Sequence, residues 1–521
     1  MIKEPFSTLL NGNYSLDSLE LDAIQHEIEA ETLAIDQIQS AIIDLQLQIE
    51  EHEARRKVYK TLLSPLRRGV LPSEILGEVF RYAIEPHYPV NRVGLVCKSW
   101  RDIALTTPSL WQTVIAPSGD DPINVGKLQA WTARAGTLPK TVGIVGLNRR
   151  SFNCACHLES EVDICRLASP ELVRFLTDGP VLDAVSLRCY THYCLNRLFA
   201  RVAKSDESTL ARSWDSIRHM SLKINKWSTP AHGLQWQFLH NLPPVSSLFL
   251  DTPGQPDVPS ETLPAMPPLD SLTTLHIVSD WPNSWILRNL ATCPNLEEVI
   301  LNSKESERQD DVWTEGRTLV SLPKLQVLRF QHMATHGEDL RILRWLRMPS
   351  LRILELSYEI PEPFADREED PDTPDKVQLY RDMLRMLSGA DRVVDLQQLR
   401  LVYFPITAKG LLRILGVLPS LTFLELVTHI GSDRKFFEMA REVETPLLPH
   451  LRHLKIHDTC DVFYPNDVCE FLRQRKATAT EASPDCVERL DMALNRYRNS
   501  PRLDESVRAL RGMGILVNIV P

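Results

Sequence analysis

The chain has 521 residues, of which 43% are hydrophobic and 24% charged, and its formal net charge is −10. This composition is typical of a globular protein, and the acidic excess argues against a general nucleic-acid-binding surface. No apolar run approaches the length of a membrane-spanning helix, and the N-terminus does not look like a secretory signal. The ten cysteines are therefore expected as reduced thiols in the cytoplasm or nucleus.

A long helix is predicted for residues 16–63, after a flexible tail at residues 1–15. The helical segment contains neither Pro nor Gly. With Leu21 at heptad position a, eight of the ten a and d positions are Leu or Ile, which is the pattern of a coiled coil. The pattern fits a helix that pairs with a second copy of the chain, and it fits equally a helix that folds back along its own protein. We call these eight residues the seam: Leu21, Ile24, Ile28, Ile35, Ile38, Ile42, Leu45 and Ile49.

The next segment, residues 64–115, is predicted to form a short helical unit. Pro72 suits the first turn of a helix, and Glu74 lies where the helix dipole favours an anion. Apolar residues at 75, 76, 79, 80 and 83 form one wide helical stripe, and a second stripe follows the prolines at 86 and 89. So short a unit cannot bury all of these side chains by itself. Either the rest of the chain or a partner must cover some of them.

This unit resembles an F-box. The resemblance rests on Leu71-Pro72-x-Glu74-Ile75-Leu76-x-x-Val79-Phe80, on Leu95-Val96-Cys97-Lys98-x-Trp100 and on Pro108-x-Leu110-Trp111. It implies a three-helix motif that binds the small Skp-type adaptor of SCF ubiquitin ligases, and through that adaptor a cullin. A coiled coil directly before such a motif also resembles many F-box proteins of mushroom-forming fungi. Val79, Phe80 and Trp100 are expected in the core of the motif. The expected adaptor-binding residues are Leu71, Pro72, Ile75, Leu76, Leu95 and Cys97.

From residue 116 to residue 521 a unit of the form L-x-x-L-x-L recurs, mostly every 24–30 residues, with clear copies beginning at Leu296, Leu325, Leu351 and Leu421. This period is typical of leucine-rich repeats, which build an α/β solenoid (horseshoe) from one strand and one helix per repeat. The expected fold class is therefore multi-domain α and α/β: a long helix, a three-helix F-box and an irregular repeat solenoid. The acidic, Pro-rich stretch 361–376 is predicted to be a solvated loop. A last helix near residues 507–510 and a strand at 515–520 are predicted to end the array.

One position in each repeat, between the last two apolar residues, should point away from the leucine core. The last five of these residues alternate in charge, which predicts either a self-satisfied ladder across the strands or a binding stripe. Phe249, His276 and Ile300 have no charge to pair in this way, so they are the predicted client-binding residues. In chain order the outward residues are Ser221, Phe249, His276, Ile300, Arg329, Glu355, Arg400, Glu425 and Lys455.

Cysteine and histidine residues concentrate between residues 154 and 194. Their spacing lacks the paired C-x₂₋₄-C knuckles of structural zinc sites, so no metal or other cofactor is predicted. No phosphate-binding loop, nucleophile elbow or metalloprotease motif occurs, and no catalytic residue is predicted. The residues are Cys154, Cys156, His157, Cys165, Cys189, His192 and Cys194.

Together these features predict a non-catalytic substrate-recognition subunit of an SCF-type E3 ubiquitin ligase, whose solenoid binds an unidentified client protein. The alternative is an interaction scaffold that binds the adaptor but acts outside ubiquitin transfer. A third possibility, an enzyme that uses the Cys/His cluster, would require a bound metal. Neither a nucleic acid nor a membrane is an expected partner, whereas the seam allows a homodimer.

Overall fold

The computed structural model describes most of the chain, in two units that comprise Met1–Ala83 and Ile84–Pro521. The described residues are 18–63, 71–84, 90–116, 123–145, 165–205, 212–226, 237–253, 266–279, 282–302, 319–333, 338–358, 374–388, 394–404, 406–428, 436–443, 447–458, 465–478, 486–494 and 501–520. The predicted tail at 1–15 and most of the predicted acidic loop, residues 361–373, lie outside them.

The first unit contains two helices, α1 (Ser18–Leu63) and α2 (Ser73–Ala83). The predicted long helix is confirmed, since α1 runs without interruption over 46 residues. None of the residues of α1 is buried. Helix α2 begins directly after Pro72, whose carbonyl accepts the Leu76 N–H at 3.0 Å. Proline loses no hydrogen bond at this position, because the first backbone N–H groups of a helix have no partner within it.

The second unit opens with short helical segments: a 3₁₀ turn (Val90–Leu95), helix α3 (Lys98–Thr106) and a second 3₁₀ turn (Pro108–Trp111). Side chains tie these segments together. Arg101 Nε donates to the Gly94 carbonyl at 3.0 Å, and the indole Nε1 of Trp111 donates to the Ala104 carbonyl at 2.7 Å. Trp111 is buried, and its ring lies beneath the Arg134 guanidinium. The Pro-x-Leu-Trp end of the motif therefore anchors α3 to the part of the unit that follows.

The rest of the second unit is built on a 14-stranded sheet in which every strand is parallel to its neighbours and the strands follow chain order. This α/β region with a parallel sheet is the coarse arrangement predicted from the repeats. A separate two-stranded pair joins β8 (Val320–Ser321) and β10 (Leu346–Arg347). The fourteen strands are β1 (Thr113–Ala116), β2 (Thr141–Val145), β3 (Ala184–Thr191), β4 (His219–Lys226), β5 (Ser247–Asp251), β6 (Thr274–Val278), β7 (Glu298–Asn302), β9 (Val327–Met333), β11 (Ile353–Tyr358), β12 (Gln398–Val402), β13 (Phe423–Thr428), β14 (His453–Asp458), β15 (Arg489–Leu494) and β16 (Leu516–Val520).

Helices connect most of these strands. Helices at Asn283–Ala291 and Ala408–Gly416 agree with the expectation of one helix per repeat, and the predicted terminal helix and strand are confirmed. Further 3₁₀ turns lie at Arg166–Ala168, Ser213–Ser216 and Glu338–Trp345. The helices are α4 (Val125–Arg134), α5 (Pro170–Asp178), α6 (His192–Lys204), α7 (Gln237–His240), α8 (Asn283–Ala291), α9 (Pro374–Leu387), α10 (Ala408–Gly416), α11 (Phe436–Arg441), α12 (Pro465–Thr478) and α13 (Pro501–Gly512).

Backbone hydrogen bonds fix the register where each strand begins. The Ser246 carbonyl accepts two consecutive amides of the next repeat, Thr273 N at 2.8 Å and Thr274 N at 3.0 Å. The same double acceptance recurs at the carbonyls of Thr273, Glu297, Gln326, Arg352, Gln397, Thr422 and Arg452. Because a slip of one residue would move every side chain to the other face, these bonds also fix which residues are buried.

The core lies on one face of the sheet. Leu248 and Leu250, on either side of Phe249, are fully buried, and Val299 and Leu301 flank Ile300 in the same way. The intervening residues of all fourteen strands are paired in one continuous line on the opposite face, which confirms the predicted register. We call this line the outward row: Ile115, Gly143, Ser186, Ser221, Phe249, His276, Ile300, Arg329, Glu355, Arg400, Glu425, Lys455, Asp491 and Asn518.

Candidate interaction surfaces

Helix α2 has one buried and one exposed apolar face. Leu76 and Phe80 are buried, whereas Ile75, Val79 and Tyr82 are exposed. Leu71, just before the helix, is exposed as well. Residues three and four apart lie on the same side of a helix, so Ile75, Val79 and Tyr82 form a single exposed surface, and we include with it the exposed Leu71 just before the helix. We call it the α2 face.

Two expectations for α2 are corrected by this arrangement. Leu76 was expected at the adaptor but is only 4% exposed, and Val79 was expected in the core but is 48% exposed. The apolar stripe of α2 is wide enough to have two edges, and hydrophobic periodicity does not reveal which edge faces the core. Phe80 is buried as expected.

The second unit also exposes apolar residues near its start. Leu95 and Val96 are largely exposed, and Trp100 is half-buried. Cys97, an expected adaptor-binding residue, is exposed and also serves as the N-cap of α3, because its Sγ accepts the Trp100 N–H at 3.5 Å. A cap residue satisfies an N–H that has no partner within the helix. Cys97 therefore stabilises the start of α3 whether or not it contacts a partner.

The first half of the outward row contains the predicted client-binding residues. Phe249, His276 and Ile300 lie side by side on β5, β6 and β7. They are half-buried, and the rings of Phe249 and His276 meet edge to face with centroids 4.6 Å apart. These residues were expected to have no partner within the sheet, and for Phe249 and His276 that expectation is wrong. Burial lowers the pKa of His276, so its ring favours the neutral form.

The second half of the outward row is a ladder of ion pairs, which is one of the two arrangements that the alternating charges predicted. Arg329 bonds Glu298 at 3.1 Å and approaches Glu355 at 3.6 Å. Arg400 lies between two carboxylates, 3.5 Å from Glu355 and 3.0 Å from Glu425. Lys455 reaches the other oxygen of Glu425 at 3.1 Å. The charges of this half are thus largely neutralised by one another, which favours the interpretation of a stabilising ladder.

The ladder continues beyond the residues that the repeat pattern identifies. Asp491, on β15, is buried and accepts hydrogen bonds from Arg489 at 3.0 Å and Asn518 at 2.8 Å, while His453 Nε2 lies 2.7 Å from its other oxygen. Burial alone would raise the pKa of Asp491, but these hydrogen bonds outweigh it, so the pKa lies below its usual value. The sequence signal for this strand is Val487-x-x-Leu490-x-Met492, a repeat in which Met replaces the last Leu.

A further buried charge lies on β5, where the repeat pattern predicts none. Asp251 is 3% exposed and pairs with Lys223 of the neighbouring strand β4. Both residues lie two positions after the outward row, on the same face of the sheet.

The cysteine cluster lies partly within the described residues. Cys165, Cys189, His192 and Cys194 are all buried, and a hydrogen bond with Cys194 lowers the pKa of the Cys165 thiol to about 7. Cys154, Cys156 and His157 lie outside the described residues. Across the described ranges, His, Cys, Asp and Glu side chains nowhere group by three or more in a metal-binding arrangement. None of the helices that the structure describes is long and apolar enough to cross a membrane.

Comparison with known proteins identifies one region of the chain. Residues 69–116 match the family model described as F-box-like. No curated protein matches the chain. The match begins just before the α2 face and ends at Ala116, the last residue of β1. It therefore includes all six residues expected to contact the adaptor. Residues 69–116 of this chain are an F-box-like domain.

Proposed function

We propose that this protein is the substrate receptor of an SCF-type ubiquitin ligase and acts in the cytoplasm or nucleus. The F-box-like domain binds a Skp-type adaptor and through it a cullin, and the second unit binds a client protein. We assign the strand-and-helix array of that unit to the irregular leucine-rich repeats. The receptor supplies no catalytic residue. It raises the concentration of client lysines near the ubiquitin-conjugating enzyme.

The observation that carries the proposal is the F-box-like match together with the α2 face. Exposed apolar surfaces of this kind are typical of protein–protein interfaces. The proposed contacts with the adaptor are made by Leu71, Ile75 and Val79 of that face and by Leu95. Pro72 fixes the entry into α2, and Leu76 supports the face from below.

Adaptor binding is tested by the double substitution Leu71→Asp with Ile75→Asp. Both residues are exposed, so the fold should persist, whereas two desolvated carboxylates at the interface should weaken adaptor binding by about 100-fold or more. Binding of purified Skp-type adaptor to the full chain measures the effect. Val181→Asp is the matched control, because Val181 is also an exposed apolar residue but lies outside residues 69–116.

Undiminished adaptor binding by the double variant would contradict the proposed interface. A second readout separates the receptor from a scaffold: the wild-type chain should co-purify with a cullin as well as the adaptor. Adaptor without cullin would favour the scaffold that acts outside ubiquitin transfer.

Client binding is assigned to Phe249, His276 and Ile300. This part of the outward row is uncharged and half-buried, and a large aromatic residue beside an aliphatic one is the usual composition of a binding hot spot. The charged side chains in the other half of the row form ion pairs with one another, so they are less available to bind a partner.

Phe249→Ala with Ile300→Ala should reduce client capture by about tenfold. The cost in stability should be moderate, about 2–3 kcal/mol, because the variant loses the buried half of two apolar side chains and the edge-to-face pair with His276. The measurement is quantitative mass spectrometry of proteins captured by the chain in cells with the proteasome blocked, beside a melting curve. Val181→Ala is the control. Equal client capture by the wild type and the double variant would show that the client does not bind at Phe249 and Ile300.

A further inference from the structure

Helix α1 presents an apolar seam that is exposed in the single chain. Seven of the eight seam residues are 48–61% exposed, and Ile24 is half-buried. The two polar residues in the seam are Glu31 and His52, both at d positions. Three further leucines, Leu19, Leu33 and Leu47, lie on the opposite side at f positions, two heptads apart, so they form no continuous stripe.

Charge is separated along α1. Every charged residue between Ser18 and Ala54 other than histidine is acidic, and all four basic residues lie in the last turns, between Arg55 and Lys60. Two of these arginines have partners within the helix: Arg55 pairs with Glu51, and Arg56 lies 3.4 Å from Glu53. Both pairs are exposed to solvent and contribute little, so they do not prevent the basic end from binding another acidic surface.

A parallel pair of α1 helices brings like charges together. In that arrangement each d residue faces its own copy, so Glu31 would lie against Glu31 inside the seam. At the flanks, each g residue faces the e residue of the following heptad on the other helix, which places Arg55 against Lys60.

An antiparallel pair removes both conflicts. When Leu21 lies opposite His52, each a residue faces a d residue of the other helix: Ile28 meets Leu45, Ile35 meets Ile38, and Ile49 meets Ile24. Glu31 then lies against Ile42, with no second carboxylate beside it. At the flanks Glu20 lies opposite Arg55, so one acidic residue near the beginning of each helix meets one basic residue near the end of the other.

We infer that α1 binds a second copy of this chain as an antiparallel two-stranded coiled coil. The pair has twofold symmetry and buries both seams. Because α1 rises 1.5 Å per residue, the two Leu63 residues, after which each chain continues toward its F-box-like domain, lie about 80 Å apart along the rod. The two domains therefore leave the rod at opposite ends. The inference rests on α1 alone and is independent of adaptor binding.

Disulfide trapping in the full chain tests the orientation. The variant Leu21→Cys with His52→Cys is made with Cys97→Ser, which removes an exposed thiol and retains a good N-cap. An antiparallel pair forms Cys–Cys links between positions 21 and 52. One straight helix holds these positions about 46 Å apart, so such a link must join two chains. Mass spectrometry of the linked peptides identifies which positions are joined.

The matched control is Leu33→Cys with Leu47→Cys in the same background, since these f positions face away from the seam and should not link. Sedimentation of the reduced proteins supplies a second measurement. The wild type should be a dimer, and Ile35→Asp with Ile42→Asp should weaken it by about 100-fold or more. Links of 21 to 21 and of 52 to 52 would overturn the antiparallel orientation. A wild-type chain that stays monomeric at high concentration would overturn self-association altogether.

Discussion

Glu425→Lys is expected to destabilise the strands around Glu425, so that their amides exchange hydrogen faster, and to leave amide exchange in the first strands of the sheet unchanged. Glu425 is 4% exposed and lies between Arg400 at 3.0 Å and Lys455 at 3.1 Å. The substitution places a third cation between two others at a buried position, which costs about 3 kcal/mol. Because each strand of this sheet is hydrogen-bonded only to the strands beside it, the loss should be concentrated in β12, β13 and β14.

Hydrogen exchange followed by mass spectrometry measures this effect strand by strand. Amides of Gln398–Val402, Phe423–Thr428 and His453–Asp458 should exchange faster in the variant, and those of β3 to β6 should not change. Glu442→Lys is the control, because it makes the same charge change at an exposed residue and should stay within about 0.5 kcal/mol of wild type. If the two variants behaved alike, the ion pairs around Glu425 would not stabilise the sheet.

The stability of the second unit is expected to fall as the pH drops below neutrality, with His192 as a main cause. His192 is fully buried at the start of α6, and burial lowers its pKa from 6.5 to about 4. Between these two values the unfolded chain binds a proton at this residue and the folded chain does not. Stability contributed by neutral His192 is therefore lost as the pH falls from about 6.5 to about 4, and the loss reaches about 2 kcal/mol at pH 5.

Urea unfolding at several pH values between 7 and 5 tests the role of His192. The wild type should lose stability over this range, and His192→Gln should lose about 2 kcal/mol less, since its side chain does not titrate. His240→Gln replaces an exposed histidine and should keep the wild-type slope. Burial also lowers the pKa values of His276 and His457, so some pH dependence should remain in His192→Gln. Parallel profiles for wild type and His192→Gln would show that His192 does not contribute.

Alternation along the strands makes the sheet predictable. Leu248-Phe249-Leu250 and Val299-Ile300-Leu301 place buried and outward residues in turn, and only one register buries the leucines. The same logic predicts the order of the charged residues across neighbouring strands, which are Arg329, Glu355, Arg400, Glu425 and Lys455. The repeat pattern did not identify strand β15, because its last apolar residue is Met492 rather than leucine, although the spacing of its apolar residues is the same.

Helix α2 shows where pattern alone fails. Its apolar residues fall on two adjacent edges, Ile75 with Val79 and Leu76 with Phe80, and both edges satisfy helical periodicity equally. Which edge is buried depends on tertiary packing that the local sequence does not contain. The prediction for Phe249 and His276 failed for a related reason: their edge-to-face contact joins residues 27 positions apart in the chain, and it depends on side-chain orientation rather than on spacing.

The outward row also sets a scale for recognition. Neighbouring strands are about 4.8 Å apart, so its fourteen residues span about 60 Å. That step is longer than the roughly 3.3 Å between residues of an extended peptide and shorter than the roughly 5.4 Å turn of a helix. An extended peptide or a single helix that lies along the row therefore cannot place one residue, or one helical turn, on every strand. A partner must instead contact the row through the surface of a folded domain. An interface of ordinary size, about 800 Å² on each side, is about 28 Å across and covers about six strands. The row is long enough for two such footprints side by side, so one chain has room for two partners at once.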